Sequence, residues 1–141
     1  MLKGIPSIIS PELLKILAEM GHGDEIVIGD GNFPGQSMNE RCVRLDGHGV
    51  PEVMEAILQL MPLDTYAQPA YIIQKIPGDN VETPIWDVYK EIVAKEDKRG
   101  ADAFCEVERF QFYENAKNAY AIIATGETAL YANIMLQKGV V

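Results

Sequence analysis

Short apolar runs alternate along the chain with segments in which apolar residues recur every three or four positions. The runs are typical of buried strands, and the recurring spacing is typical of amphipathic helices. Six strands are predicted, at 25–28, 41–45, 71–76, 104–107, 120–125 and 131–137. Four helices are predicted, at 11–20, 50–60, 84–94 and 108–118.

This alternation of strands and helices predicts the fold class. Because the strands are almost continuously apolar, the sheet should be covered by helices on both faces. We therefore expect an α/β fold: a single three-layer α/β/α domain over residues 1–141, with a mostly parallel or mixed sheet of about six strands. A chain of 141 residues is long enough for one domain with a substantial core. Residues 62–69 are expected to link elements within it.

The first helix has clear signals at both ends. Ser10 offers a hydroxyl N-cap, Pro11 suits the first helical position, and Gly21 is expected to end the helix. His22 follows, beside the negative end of the helix dipole, which favours the imidazolium form and suits a proton donor. The alternative interpretation is that His22 only hydrogen-bonds to the last helix carbonyls.

Asp30 follows the strand at 25–28 and opens a loop of glycine, asparagine and proline. In open α/β sheets, ligands bind outside the carboxyl ends of strands, so Asp30 is a candidate ligand-binding or acid–base group. A dinucleotide motif fails because Pro34 replaces its third glycine, and a calcium loop fails because Arg41 replaces its glutamate. His22 enters the same strand from its other end, so only the fold or a neighbouring subunit can bring the two together.

Charge and composition limit the classes of partner that are expected for the protein. Twelve Lys and Arg against 21 Asp and Glu give a net charge of −9 and a pI near 4.6. This surface repels phosphate backbones and anionic lipid, so neither nucleic acid nor membrane is expected as a partner. No apolar run approaches the roughly 20 residues of a membrane span, and the start lacks a signal peptide's apolar region, so a cytoplasmic protein is predicted.

The two cysteines and the second histidine are not strong candidates for a functional site. Cys42 and Cys105 are too few for a disulfide framework and are predicted to be buried, reduced thiols. His48 lies in a glycine turn, where a solvated loop residue is expected. No metal site is predicted, because no spacing resembles a histidine or cysteine ligand pair.

A family resemblance rests on motifs that occur in order over essentially the whole chain. They are L-K-G-I-P-S-I-I-S-P-E-L-L-K at 2–15, M-G-H-G-D-E-I at 20–26, G-D-G-N-F-P at 29–34, R-F-Q-F-Y-E at 109–114, A-I-I-A-T-G-E at 121–127 and Y-A-N-I-M-L-Q-K-G-V at 131–140. By their order and spacing, the chain resembles the fucose mutarotase branch of the ribose pyranase/fucose mutarotase family.

The resemblance implies an isomerase, a mutarotase that interconverts the anomers of a monosaccharide, L-fucose, with neither metal nor cofactor. It implies His22 as the acid, Asp30 as a sugar-binding carboxylate, and further sugar contacts at Arg109 and at Tyr131, Ala132 and Asn133. It also implies a ring-shaped homodecamer whose active sites lie between neighbouring subunits. The ribose branch has histidine at the position of Arg109, so the arginine favours the fucose branch. Gly31 departs from the usual alanine, which should affect loop freedom more than chemistry.

The chemistry of mutarotation suits these residue types. The ring oxygen must gain a proton while the anomeric hydroxyl loses one, and a histidine can transfer protons in both directions. Asp30 can bind sugar hydroxyls or orient the imidazole, and Arg109 and Asn133 supply fixed hydrogen-bonding groups. An aromatic ring suits the apolar face of a pyranose; the candidates are Tyr131, Tyr113 and Tyr120.

Simpler structural roles stand beside these functional ones. Arg109 would form a salt bridge with Glu108, Glu114 or another acid. Tyr131 and Asn133, two apart on a predicted strand and therefore on one face of it, would be edge-strand residues that cap a core. Tyr113 and Tyr120 would be packing residues.

Three other functions stay open. One is a non-catalytic sugar-binding accessory to a transporter. Another is a ribose pyranase or mutarotase. The third is a glycosidase that pairs Asp30 with Glu25 or Glu127, although the sequence gives no pairing distance.

Overall fold

The computed structural model describes residues 1–141 and contains five α-helices and six strands. The helices are α1 (Pro11–Glu19), α2 (Gly35–Met38), α3 (Val50–Leu58), α4 (Pro84–Glu96) and α5 (Arg109–Asn118). The strands are β1 (Glu25–Gly29), β2 (Cys42–Leu45), β3 (Ala70–Ile73), β4 (Phe104–Val107), β5 (Ala121–Thr125) and β6 (Ile134–Gln137). A 3₁₀ turn, Gly100–Ala103, precedes β4. None of the helices is long and apolar enough to cross a membrane.

The six strands form one mixed sheet in the order β2-β5-β1-β6-β3-β4. Strand β5 pairs in parallel with β1 and β2, and β3 pairs in parallel with β4. Strand β6 lies between β1 and β3 and is antiparallel to both. Five strands therefore end at the same edge of the sheet, and β6 begins at that edge. The expected α/β fold with a mixed six-stranded sheet is confirmed.

Helices cover both faces of the sheet, but unequally. On one face, 28 buried residues form a core with α1, α3 and α4. On the other face, α5 and the loop after β1 cover a smaller cluster of eight buried residues. Along β1, Ile26 and Ile28 belong to the larger cluster and Val27 to the smaller, because successive strand residues point to opposite faces.

The predicted start of the first helix is confirmed. The backbone N–H of Leu13 donates to Ser10 Oγ at 3.1 Å, and Pro11 occupies the first turn. The helix ends at Glu19, and Lys138 Nζ donates to the carbonyls of Leu17 (2.8 Å) and Met20 (2.5 Å). The carbonyl end of α1 is thus occupied by a lysine from the far end of the chain.

Two structural differences from the sequence-based predictions arise from tertiary contacts. The short helix α2 was not predicted, because its segment carries no helix signal; it packs so closely on β5 that a Cβ at Gly35 would lie 2.9 Å from Ile122 Cγ2. The predicted strand at 131–137 begins only at Ile134, because Tyr131 has a φ of 54° and cannot be extended. The two cysteines are half-buried rather than buried, with free thiols.

The face of the sheet that α5 covers provides a stability prediction. Phe112 on α5 is fully buried in the smaller cluster, so Phe112→Ala should lower the free energy of unfolding by about 3–5 kcal/mol. Its neighbour Phe110 is 63% exposed, so Phe110→Ala on the same helix should change it by less than about 0.5 kcal/mol. Urea unfolding at matched protein concentration measures both variants. If Phe112→Ala lowered the free energy of unfolding no more than Phe110→Ala does, burial of Phe112 would not anchor α5 on this face.

Candidate active site

Asp30 and Asn133 face each other at the edge where the parallel strands end. Asp30 follows β1, and Asn133 precedes the antiparallel β6. The backbone N–H of Asp30 donates to Asn133 Oδ1 at 2.7 Å, and Asn133 Nδ2 donates to Asp30 Oδ2 at 3.2 Å. The backbone N–H of Asn32 donates to the other carboxylate oxygen of Asp30 at 2.9 Å. These bonds fix the orientation of both side chains.

The environment of Asp30 makes its carboxylate more basic than usual. Burial raises the pKa of Asp30, and the hydrogen bonds from Asn32, Phe33 and Asn133 oppose that rise. The nearby negative charge of Glu127 raises the pKa further. Such a carboxylate is a good acceptor for ligand hydroxyl groups.

Tyr131 adopts a left-handed backbone conformation just before β6. With a φ of 54°, it is the one non-glycine residue of the chain with positive φ. Its hydroxyl donates to Asp79 Oδ2 at 2.5 Å and accepts the backbone N–H of Ile76 at 3.3 Å. The bond to Asp79 raises the pKa of Tyr131 and lowers that of Asp79. The prediction that Tyr131 and Asn133 share one face of an edge strand is therefore wrong, because both residues precede β6 and β6 is an interior strand.

Arg109 lies at the same edge, as the first residue of α5. It forms no ion pair within the chain, and its guanidinium carbon lies 4.7 Å from the centre of the Phe110 ring. The predicted alternative, a salt bridge to Glu108 or Glu114, is wrong because Glu108 caps α5 through backbone N–H groups and Glu114 pairs with Lys117.

A cleft of about 300 Å³ lies against Arg109. Its other lining residues are Gln74, Lys75, Ile76, Pro77, Glu108 and Phe110. The positive charge of Arg109 also acts on Tyr131, where it opposes the rise in the pKa of the phenol. Arg109 and Tyr131 thus lie within electrostatic range of each other, beside a cleft large enough for a small ligand.

Ala132 and Tyr113, which are also predicted site residues, lie at or near the same edge of the sheet. Ala132 is fully buried, and its carbonyl accepts the Tyr89 hydroxyl at 2.6 Å. Tyr113 on α5 packs edge-on against Phe33, which follows Asp30 in the loop, with ring centres 5.7 Å apart. Tyr113 is therefore close to the loop that carries Asp30.

Tyr120 lies at the opposite edge of the sheet, just before β5. Its hydroxyl donates to Glu19 Oε2 at 3.0 Å, and the Arg41 guanidinium carbon lies 4.3 Å from its ring centre. In one chain, Tyr120 is thus separated from Asp30 and engaged with other partners.

His22 lies beyond the amino end of β1, and it pairs with Asp64, which no sequence pattern predicts as a site residue. Its Nε2 lies 3.1 Å from Asp64 Oδ1, which also accepts the backbone N–H of Tyr66 at 3.0 Å. The Asp64 side chain is only 4% exposed, whereas that of His22 is 45% exposed. The alternative in which His22 bonds to helix carbonyls is wrong, since Lys138 occupies them.

Asp64 is held ionised and in place by its surroundings. The Tyr66 backbone N–H and the hydrogen bond with His22 lower the pKa of Asp64, against the effect of desolvation. Arg99 Nη2 donates to the Asp64 carbonyl at 2.6 Å and to Asp97 at 2.7 Å, which anchors the loop. The one sequence signal for Asp64 is an acid within an otherwise apolar and proline-containing segment.

One chain therefore carries two candidate half-sites, at opposite edges of the sheet. The five residues of β1 separate them by about 16 Å at the rise of an extended strand. Asp30, Asn133, Arg109 and Tyr131 lie at the carboxyl edge. The pair of His22 and Asp64 lies at the amino edge, so the fold of one chain does not bring His22 to Asp30.

The positions of His48, Glu25 and Glu127 bear on the possibility of a metal site and on the glycosidase alternative. The side chain of His48 is 41% exposed and pairs with Glu52 at 3.0 Å, and no group of three or more potential ligands could hold a metal ion. Glu25 starts β1 and so lies at the wrong end to pair with Asp30. Glu127 accepts three backbone N–H groups, from Val50, Thr128 and Ala129, which favours a structural role.

Comparisons with known proteins agree on one family over the whole chain. The sequence pattern of the RbsD / FucU transport protein family matches residues 3–141. The human protein named fucose mutarotase is 49% identical, over 99% of this chain and 94% of its own length. The crystal structure of FucU from Bifidobacterium longum has a TM-score of 0.96 at 60% identity, over 99% of both chains. That of a fucose mutarotase in complex with L-fucose, from Streptococcus pneumoniae, has a TM-score of 0.91 at 47% identity, over 99% of both.

The lowered pKa of Asp64 gives a pH-dependent stability prediction. A carboxyl whose folded pKa is lowered stabilises the fold above its unfolded pKa, roughly 3.9, and loses that contribution as pH falls through the folded pKa. Asp64→Asn should thus be less stable than wild type at pH 7, and the difference should shrink below about pH 4. Urea unfolding across pH measures it. Asp102→Asn, at an exposed aspartate, is the control, and a pH-independent difference for Asp64→Asn would contradict the ionised pair.

Proposed function

Because the chain belongs to the RbsD / FucU transport protein family, we propose that it is an L-fucose mutarotase, an isomerase that interconverts the α and β anomers of the sugar. The carrying observation is the near-full-length identity of 49% with a protein named fucose mutarotase. The related structure in complex with L-fucose supports the choice of sugar. The residues of the two half-sites supply the groups that the reaction requires.

His22 is the proton donor in this proposal. Ring opening needs a proton on the ring oxygen while the anomeric hydroxyl loses its own proton to a water molecule, and reclosure after a bond rotation reverses both transfers. The exposed imidazole can reach a ligand, and buried Asp64 behind it orients the ring and stabilises the imidazolium. No metal or cofactor takes part in the proposed reaction.

The carboxyl-edge residues bind the sugar in this proposal. Asp30 accepts hydrogen bonds from hydroxyl groups, and Asn133, held against it, presents its remaining amide hydrogen and oxygen lone pair. Arg109, which forms no ion pair in the chain, donates to hydroxyls from the wall of the cleft. The rings of Tyr131 and Tyr113 are available for the apolar face of the pyranose.

We further propose that active sites form between neighbouring subunits of a ring-shaped homodecamer in the cytoplasm. The separation of the half-sites supports this, because a complete site needs His22 from one copy beside Asp30 of another. The neighbour would also bring Tyr120 and its surroundings nearer to the sugar. A partner that completes the site makes activity dependent on assembly.

The first test is anomer exchange measured by proton saturation transfer. The protein should accelerate exchange between the α and β anomeric signals of L-fucose and act less on D-ribose. His22→Ala should reduce the acceleration by at least about 100-fold, as loss of a general acid does. His48→Ala is the matched control and should keep full activity. Exchange at the buffer rate with sugar binding intact would instead identify a non-catalytic accessory of a transporter, the function that the family description suggests.

Mixing inactive variants tests the shared site. His22→Ala and Asp30→Asn should each be inactive alone, because each removes one half-site. If sites form between subunits, unfolding and refolding the two together should restore about one quarter of wild-type activity, the share of sites that receive both native halves. Activity that stays absent in confirmed mixed oligomers would contradict the shared site.

A further inference from the structure

We propose that Trp86 and Tyr89 of α4 are positioning residues that hold segment 131–133 in its binding conformation. The inference rests on the proposed function, since it assigns these residues a role in sugar binding. Trp86 and Tyr89 are three positions apart, so their side chains leave the same face of α4. Both donate hydrogen bonds to the segment that precedes β6.

The conformation that needs holding is the left-handed Tyr131. A side chain with a Cβ disfavours positive φ, and such residues persist where the surroundings fix them, often at functional sites. No glycine or asparagine occupies this position to relieve the strain. Contacts from outside the segment must therefore select the left-handed turn.

Trp86 and Tyr89 supply those contacts at two consecutive carbonyls. The Trp86 indole Nε1–H donates to the Tyr131 carbonyl at 2.8 Å, and the Tyr89 hydroxyl donates to the Ala132 carbonyl at 2.6 Å. Tyr89 is fully buried, and burial raises its pKa, so the hydroxyl remains protonated and can donate. Removing that hydroxyl would leave a buried carbonyl without a partner.

Fixing these carbonyls sets the direction of the side chains on either side. The Tyr131 hydroxyl then meets Asp79, and the Asn133 amide meets Asp30. Helix α4 therefore acts through the segment on both the aromatic ring and the carboxylate of the proposed sugar site. Neither Trp86 nor Tyr89 needs to touch the sugar for this effect.

Conservative variants test the proposal. Tyr89→Phe removes only the hydroxyl, and Trp86→Phe removes the indole donor while keeping an aromatic ring. Tyr71→Phe is the matched control, because the Tyr71 hydroxyl on β3 has no hydrogen bond in the chain. For each variant, anomer exchange is measured over a range of L-fucose concentrations, and hydrogen exchange is measured for the amides of residues 131–134.

We expect Tyr89→Phe to raise KM for L-fucose by about 5–10-fold with kcat within about twofold of wild type, because sugar binding is weakened before the proton transfer. Hydrogen exchange at 131–134 should accelerate at least about tenfold in Tyr89→Phe and Trp86→Phe, and not in Tyr71→Phe. A purely structural role would lower kcat by loss of folded protein at unchanged KM.

Unchanged KM in both variants, or unchanged hydrogen exchange at 131–134, would overturn the proposal. A wild-type protein without mutarotase activity would overturn the proposed function instead. In that case hydrogen exchange and the dissociation constant for L-fucose still decide whether α4 positions the segment.

Discussion

The antiparallel insertion of β6 between β1 and β3 is the constraint on which the carboxyl-edge site depends. A parallel sixth strand would begin at the opposite edge and carry Asn133 away from Asp30. Because β6 runs against its neighbours, its first residues meet the last residues of β1. The reciprocal hydrogen bonds of Asp30 and Asn133 then join the two strands at the point where a ligand would bind.

The two half-sites differ in how the protein environment treats their carboxylates. The Asp30 carboxylate is half-buried and made more basic by that burial, whereas Asp64 is held ionised by a backbone N–H and His22. The exposed imidazole faces outward from a buried carboxylate, and Arg109 lines a cleft without forming an ion pair. Groups left available on both edges of one sheet are what a site completed by a second copy requires.

The sequence predicts the parts of this molecule that depend on local pattern. Apolar runs located the strands, the Ser10 and Pro11 signals located the first helix, and Asp30 stood out because it follows a buried strand. The pairing of His22 with Asp64 could not be predicted. The two residues are 42 positions apart, and Asp64 lies in a segment without a helix or strand pattern. The left-handed Tyr131 carries no glycine signal, since distant side chains on α4 select its conformation.

In the proposed enzyme, a working site combines His22 of one subunit with Asp30 of another. A crystal structure of the protein with bound L-fucose tests it most directly. We expect one sugar molecule that contacts Asp30, Asn133 and Arg109 of one copy, with the ring oxygen or anomeric hydroxyl within hydrogen-bonding distance of His22 from a neighbouring copy. A sugar bound entirely within one chain, with every His22 remote from it, would contradict the claim.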